Sequence, residues 1–415
     1  MIRRRAWWPA LSRPVWLLQA GNVVNTFGLG MVLPFEIIYL HDVRGFATQT
    51  AGLVLSTVMG TAAVTAPPTG TIVDRVGARP VLVAGSLLSA AGYGAMAFVH
   101  HPAQAFACSV VSGLGTGASM TAGPTLMAAL AEGPTRASAF SLGRVAVNLG
   151  IALGSVTGGF IARTSDPGSF RVLYLVDAAT FVGYLLVVVL LIPGVRAPGR
   201  TAGTGGGGFG TVIRDRPFVA LMGANVVFLV VGFTLFANIM PAYAKGQTPV
   251  DERGIGFVFL VNTVFITVVA LPIGHAVVRR RRAASLAVTG GIWAVATLMM
   301  IPAAHLSSAL LATGVLALAG VVQGVGECIH AAVIGPTVAD LAPPGLDGRY
   351  MSALGLTTSV GFAVGPAVGS TLLAASPTGL WLAAAAGVAL TGVLVLRLES
   401  VLPQHAPAEP PAPAP

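Results

Sequence analysis

Apolar residues run through this chain in long stretches, each closed by Gly, Pro, polar or basic punctuation and each too long for a strand. Twelve such stretches fall at about 15–40, 48–72, 80–100, 104–131, 138–162, 172–193, 217–243, 254–278, 283–303, 307–335, 346–374 and 378–396. A helix needs about 20 apolar residues to cross the hydrocarbon core of a bilayer, and most of these stretches meet that length. In lipid every backbone N–H and C=O must be paired within the protein, so long apolar runs predict helices. Strand-length alternation of apolar and polar positions is absent, which argues against a β-barrel.

The twelve spans divide into two sets of six. Between the sixth and seventh lies a soft segment, Gly194 to Phe209, containing the run Gly205 to Gly208. The two sets also echo one another. Asn22-Val-Val returns as Asn225-Val-Val, Gly123-Pro-Thr as Gly335-Pro-Thr, and Gly154-x-x-x-Gly158 as Gly365-x-x-x-Gly369, at offsets of 203, 212 and 211. Three matches in order at nearly constant offset predict a duplicated unit. The expected organisation is a basic N-terminus (1–14), a first six-helix bundle (15–193), a linker (194–216), a second six-helix bundle (217–397) and a Pro/Ala-rich disordered tail (398–415). The fold class is all-α integral membrane protein, with two pseudo-symmetric bundles.

Composition sharpens this picture. Charged residues make up 9% of the chain and mean hydropathy is +0.83, against about 25% charged in a typical soluble protein. The net charge of +9 does not gather into a nucleic-acid-binding patch. Of the 23 Lys and Arg, 17 lie in the N-terminal segment, alternate loops and the C-terminal end, and only 5 in the intervening loops. The positive-inside rule then predicts a multi-pass cell-membrane protein with both termini cytoplasmic. The N-terminus lacks a small-residue cleavage site, so the first stretch reads as a retained span, with Trp7, Trp8 and Trp16 at the interface. Cys108 and Cys328 sit in apolar stretches and read as packing residues.

The polar turn Gly70-Thr-Ile-Val-Asp-Arg-Val-Gly-Ala-Arg79 joins the second and third spans, and Gly274 to Arg282 echoes it 204 residues later. Its pattern, Gly-x-x-x-Asp-Arg-x-Gly-x-Arg, resembles the signature of the major facilitator superfamily of transporters. That resemblance implies two bundles rocking around a midplane cavity. It also implies a cytoplasmic conformational latch built from Gly70, Asp74, Arg75, Gly77 and Arg79. In the second copy Val278 replaces the Asp, so that turn reads as positive-inside anchoring. On the fifth span, Gly150, Gly154, Gly158 and Gly159 resemble the glycine motif that marks antiporters in this superfamily, with Ser155 in place of its Pro. Small residues at this spacing also serve ordinary close packing of membrane helices. The segment from Leu341 to Tyr350 leading into Gly365-Pro366 completes the resemblance, which is of multidrug-exporter type.

Ionisable residues within spans are costly and therefore functional candidates. Four stand out: Glu36, Arg144, Asp177 and Glu327. Gln323, Glu327 and His330 lie at i, i+4 and i+7 on the tenth span and share one face of an otherwise apolar helix. Apolar surroundings disfavour a charged carboxylate, so Glu327 is suited to taking up and releasing a proton, with Arg144 as a gate partner or competitor. Glu36 and Asp177 are placed near the outer ends of their spans, where a hydrated position or a loop hydrogen bond is expected. On the first span, where antiporters of this kind often carry a deep carboxylate, Gln19, Asn22 and Asn25 occupy one face instead.

Substrate contacts are expected from Asn22, Asn25, Asn148, Asn225, Phe228, Phe233, Asn238 and Gln323, because an amphipathic solute needs aromatic walls and a few amides. Phe228 follows Asn225 by three residues and shares its face, whereas Phe233 is also free to face lipid. No phosphate-binding Gly-Lys-Ser/Thr loop, paired Cys ligands, His-Glu-x-x-His or nucleophile elbow occurs, so no enzyme chemistry, metal or cofactor is expected. The expected partners are a small amphipathic substrate, protons and lipid, with the chain acting as a monomer. The reading is proton-coupled efflux by alternating access. A proton-coupled importer or facilitator of a small solute and a lipid or glycolipid flippase remain as alternatives, and a non-transporting receptor leaves the polar faces unexplained.

Overall fold

Prolines and short polar side chains start many of the helices. Asp166, Asp215, Ser308 and Ser376 each accept a hydrogen bond from a backbone N–H in the first turn that follows. Pro167, Pro217 and Pro377 stand at the helix starts, where a missing N–H costs nothing. The computed structural model describes residues 11–131, 135–192, 209–278, 280–343 and 346–399. The basic residues Arg3 to Arg5, Trp7, Trp8, the Gly205 to Gly208 run and the tail from Pro403 lie outside these described residues.

Within them are twelve membrane-length helices. The first six are α1 (Arg13–Val43), α2 (Thr48–Val76), α3 (Ala78–Met96), α4 (Pro102–Leu130), α5 (Thr135–Ile161) and α6 (Pro167–Leu191). The second six are α7 (Arg216–Gln247), α8 (Glu252–Val278), α9 (Arg282–Ala303), α10 (Ala309–Leu341), α11 (Asp347–Ala375) and α12 (Pro377–Leu396). Eleven are long and apolar enough to cross a membrane; α3, which is short and carries Arg79 and Pro80 in its first turn, is the exception. A six-residue helix, Phe209–Arg214, leads into α7.

The first helix of each half departs from regular α geometry. Past Val32, α1 tightens to a 3-10 turn over Leu33–Phe35 and loosens to a π turn over Tyr39–Val43. Similarly, α7 is π-helical over Val230–Ile239. The duplicated architecture shows most directly in one tie. Tyr39 Oη donates to the Met96 carbonyl at 2.9 Å, and Tyr243 Oη donates to the Met300 carbonyl at 3.1 Å. Both ties span 57 residues, and they lie 204 residues apart, the offset of the two basic turns.

The two halves meet at one end of the bundle, through α2 against α11 and α5 against α8. Glycine makes the approach possible. A Cβ on Gly159 would lie 2.5 Å from the Glu252 carbonyl oxygen, and one on Gly256 would lie 2.7 Å from that of Ser155. Gly52 likewise backs directly onto Pro366 and Ser370. Towards the opposite end the same helices separate. Gly70 on α2 and Gly355 on α11, far down the facing surfaces, have nothing within 4 Å of a built Cβ. The end that carries the Gly70 turn is therefore the open end.

Candidate transport site

The tenth helix carries the polar face. Gln323 is buried and bonded on every side: its amide donates to the Gly232 carbonyl and reaches Glu327 Oε2 at 3.5 Å, while its Oε1 accepts from Asn262 at 3.0 Å. Its backbone carbonyl takes the indole N–H of Trp293 at 2.9 Å. Trp293 fits because Gly232 and Gly326 flank it: a Cβ at either would come within 2.5 Å of the indole.

Two turns beyond Gln323, His330 Nε2 lies 2.8 Å from Asn225 Oδ1, and Asn225 Nδ2 donates to Thr357 at 2.8 Å. With its amide nitrogen engaged, Asn225 accepts from the imidazole, which puts the proton on Nε2. Phe228, Phe233 and Trp293 surround the imidazole, with ring centroids 5.5–5.9 Å from it. The π segment of α7 brings this about. Its wider turn puts Phe228 and Phe233, five residues apart, against the same rings, and Thr234 Oγ1 bonds back to the Leu229 carbonyl at 3.2 Å. Phe233 thus packs inward and is half-buried, where lipid was the open alternative.

Glu327 and Arg144 occupy the interface between halves. Glu327 is half-buried, Arg144 on α5 is exposed, and the guanidinium is near enough for its charge to act on the carboxylate. No direct ion pair joins them in this conformation. Among the described residues the Gln323 amide is the one hydrogen-bond partner of Glu327.

The remaining expected contacts divide. Asn22 and Asn148 are half-buried, Asn238 is buried, and Asn25 holds a buried Oδ1 that has no hydrogen-bond partner among the described residues. Gln19, from the same face of α1, donates to the Ala139 carbonyl at 2.8 Å and braces α5. Asn262 and Trp293 were absent from the expected set, although a lone amide in the apolar run of α8 and a single indole in α9 were visible signals.

The glycine motif of α5 lies along α1. A Cβ on Gly150 would sit 2.7 Å from the Val23 carbonyl oxygen, one on Gly154 2.9 Å from Met31 N, and one on Gly158 2.6 Å from the Met31 carbonyl oxygen. Gly159 turns instead to the other half, at Glu252. At the open end, Gly77 has φ +93° and lets α2 turn sharply into α3. Arg79 Nε donates to the Val188 carbonyl at 3.1 Å and its Nη2 to that of Val189, so Arg79 closes the end of α6. Asp74 and Arg75 are exposed.

At the closed end Glu252 joins the halves. Its Oε1 accepts from Lys245 Nζ at 2.9 Å and from the backbone N–H of Thr164, on the loop after α5, at 3.3 Å.

Asp177 corrects an expectation. It lies ten residues into α6, about 15 Å along the axis, because the helix begins at Pro167 and not near 172. It is fully buried, and neither carboxylate oxygen has a hydrogen-bond partner among the described residues.

Comparison with known proteins matches the chain to the Major Facilitator Superfamily over residues 18–248 and 222–415. The chain belongs to that superfamily. Similar facilitator proteins include the uncharacterized MFS-type transporter YqjV of Bacillus subtilis (strain 168), 24% identical over 375 residues and 87% of each chain. The multidrug resistance protein MdtH of Aeromonas salmonicida (strain A449) is 24% identical over 352 residues, covering 82% of this chain and 83% of its own. Among solved structures, a POT family transporter bound to a thioalcohol-conjugated peptide superposes with a TM-score of 0.79 at 14% identity, over 94% of this chain and 96% of its own. The nucleoside transporter NupG gives 0.73 at 13% identity, over 93% and 99%. These likenesses establish a twelve-helix facilitator fold and a multi-pass membrane transporter.

Proposed function

We propose that this transporter exports small amphipathic compounds in exchange for protons, by alternating access. The observation that carries the reading is Glu327. It is an intramembrane carboxylate on an amide- and aromatic-lined face of α10, without an ion-pair partner in contact, beside the opening between halves. A carboxylate in that position can take a proton or a cationic group, and each excludes the other. Arg144, across the gap on α5, is the internal cation that takes the carboxylate when the open end closes. Similarity to multidrug resistance protein MdtH supports a drug-like substrate.

Taking the arginine-rich end as cytoplasmic, this conformation opens to the cytoplasm, where an exporter loads. Asp74 and Arg75 stand exposed here because the latch engages only when that end closes. Asn22, Asn148 and Phe233 supply substrate contacts; Phe228, expected among them, is fully buried against Trp293 and His330 and, with the engaged Asn225 and Gln323, holds the wall in shape. The chain works as a monomer in the cell membrane.

The test is proton release from energised inside-out vesicles, followed with a pH-sensitive dye during challenge by cationic and neutral amphipaths. Solute-dependent proton efflux in the native protein and its loss in Glu327→Gln are expected. Efflux undiminished in Glu327→Gln removes that residue from coupling. Proton movement in the same direction as solute replaces export by import.

A further inference from the structure

The first half holds a buried carboxylate that the exchange at Glu327 does not use. Asp177 sits near the middle of α6 with no exposed surface, and neither Oδ1 nor Oδ2 has a hydrogen-bond partner among the described residues. The Thr180 hydroxyl, which like the carboxylate lies against Gly28, spends its proton on the Asp177 backbone carbonyl at 2.7 Å. From α1, Gly28 presses against the carboxylate: a Cβ there would lie 2.7 Å from Asp177 Oδ1 and 2.8 Å from Asp177 Cα. That contact seals the group from the space between the halves.

The titratable groups that act on it are of one kind. Glu36 on α1 faces it electrostatically, and the phenols of Tyr93 on α3 and Tyr174 on α6 lie in the same field. Tyr93 stacks on Phe181, one turn along α6, at 5.8 Å between centroids. Among the described residues no cation acts on Asp177. An ionised carboxylate with no donor, no cation and a second carboxylate nearby is untenable in so dry a place.

We propose that Asp177 and Glu36 form a second proton-binding pair, housed wholly in the first half and distinct from the Glu327 face. In this conformation Asp177 carries the proton on a carboxyl oxygen. Glu36, half-buried eight residues above Gly28 and towards the closed end, is the member through which that proton exchanges with water. Release leaves Asp177 as a carboxylate and delivers one proton to Glu36 or to water. The break in α1 at Leu33–Phe35 lies between Gly28 and Glu36, so the upper part of α1 can shift while the Gly28 contact holds.

The test reads the proton and needs no transported solute, so its failure is separate from failure of the exporter reading. Infrared spectra of the purified full chain in lipid nanodiscs are recorded across pH, with and without aspartate labelled by carbon-13 at the side-chain carboxyl. A buried protonated-carboxyl band present at neutral pH and moved by the aspartate label is expected in the unmodified protein. The band should vanish in Asp177→Asn, persist in Glu327→Gln, and lose its proton at lower pH in Glu36→Gln, where the neighbouring negative charge is gone. Absence of any label-sensitive band at neutral pH in the unmodified chain overturns the proposal, even if Asp177→Asn does not fold. A band that titrates identically in Glu36→Gln overturns the pairing.

Discussion

Lys245 Nζ lies 2.9 Å from Glu252 Oε1, and that same oxygen takes the backbone N–H of Thr164 from the other half of the molecule. One carboxylate thus ties two loops of different halves across the closed end. Lys245 belongs to the same half as Glu252 and orients the carboxylate; the tie between halves is the Thr164 bond, at 3.3 Å, worth about 1 kcal/mol.

Removing that tie should loosen the closed end. Glu252→Gln is expected to raise the population open at that end by up to about fivefold, the equivalent of that 1 kcal/mol. Ser155→Cys, introduced after Cys108 and Cys328 are replaced, reports it, because Ser155 is fully buried where α5 meets α8. Faster labelling by a membrane-impermeant thiol reagent in the Glu252→Gln background is the expected result. Equal rates would assign closure to the helix contacts alone.

The duplicated tyrosine ties make an unequal prediction. Tyr243→Phe should cost about 1 kcal/mol, the net value of one hydrogen bond, and Tyr39→Phe more, because the Tyr39 hydroxyl also accepts from Arg44 Nε at 2.8 Å. The double variant should cost the sum. Thermal unfolding in detergent reads this, and equal costs would mean that the Arg44 contact adds nothing to the Tyr39 tie.

Glycines on α5 should differ sharply from those facing open space. Gly154→Ala drives a methyl into the Phe27 carbonyl and Met31 N, and should destabilise by about 1–3 kcal/mol. Gly291→Ala on α9, with nothing within 4 Å, should be neutral or stabilising. Comparing melting temperatures of the two variants checks the close approach of α1 and α5.

Arg144 and Glu327 should behave as a pair only when the open end closes. Arg144→Glu and Glu327→Arg are each expected to abolish solute-driven proton efflux, and the combined swap to restore part of it. Failure of the swap to recover any efflux would confine Arg144 to a long-range electrostatic role.

Much of this architecture was legible because lipid enforces it. Twelve apolar runs, a basic turn repeated at 204 residues and recurring glycines leave few folds open. The Gln323–Glu327–His330 face followed from helical spacing alone. What escaped was decided by backbone. The acceptors of Tyr39 and Tyr243 are main-chain carbonyls, which no side-chain pattern announces. The π segment of α7 has no residue signature, so the inward turn of Phe233 could not be derived. Asp177 was set too shallow because Pro167 to Arg171 read as loop, although Asp166 before Pro167 is a helix-start signal.

At the closed end Gly159 and Gly256 meet bare backbone, and Gly52 meets the small Ser370 side chain and the Pro366 carbonyl. Contacts of this kind leave few rotamers to reset when they part. The halves meet there as smooth bearings, and the Glu252 tie acts as a catch on a joint that otherwise slides.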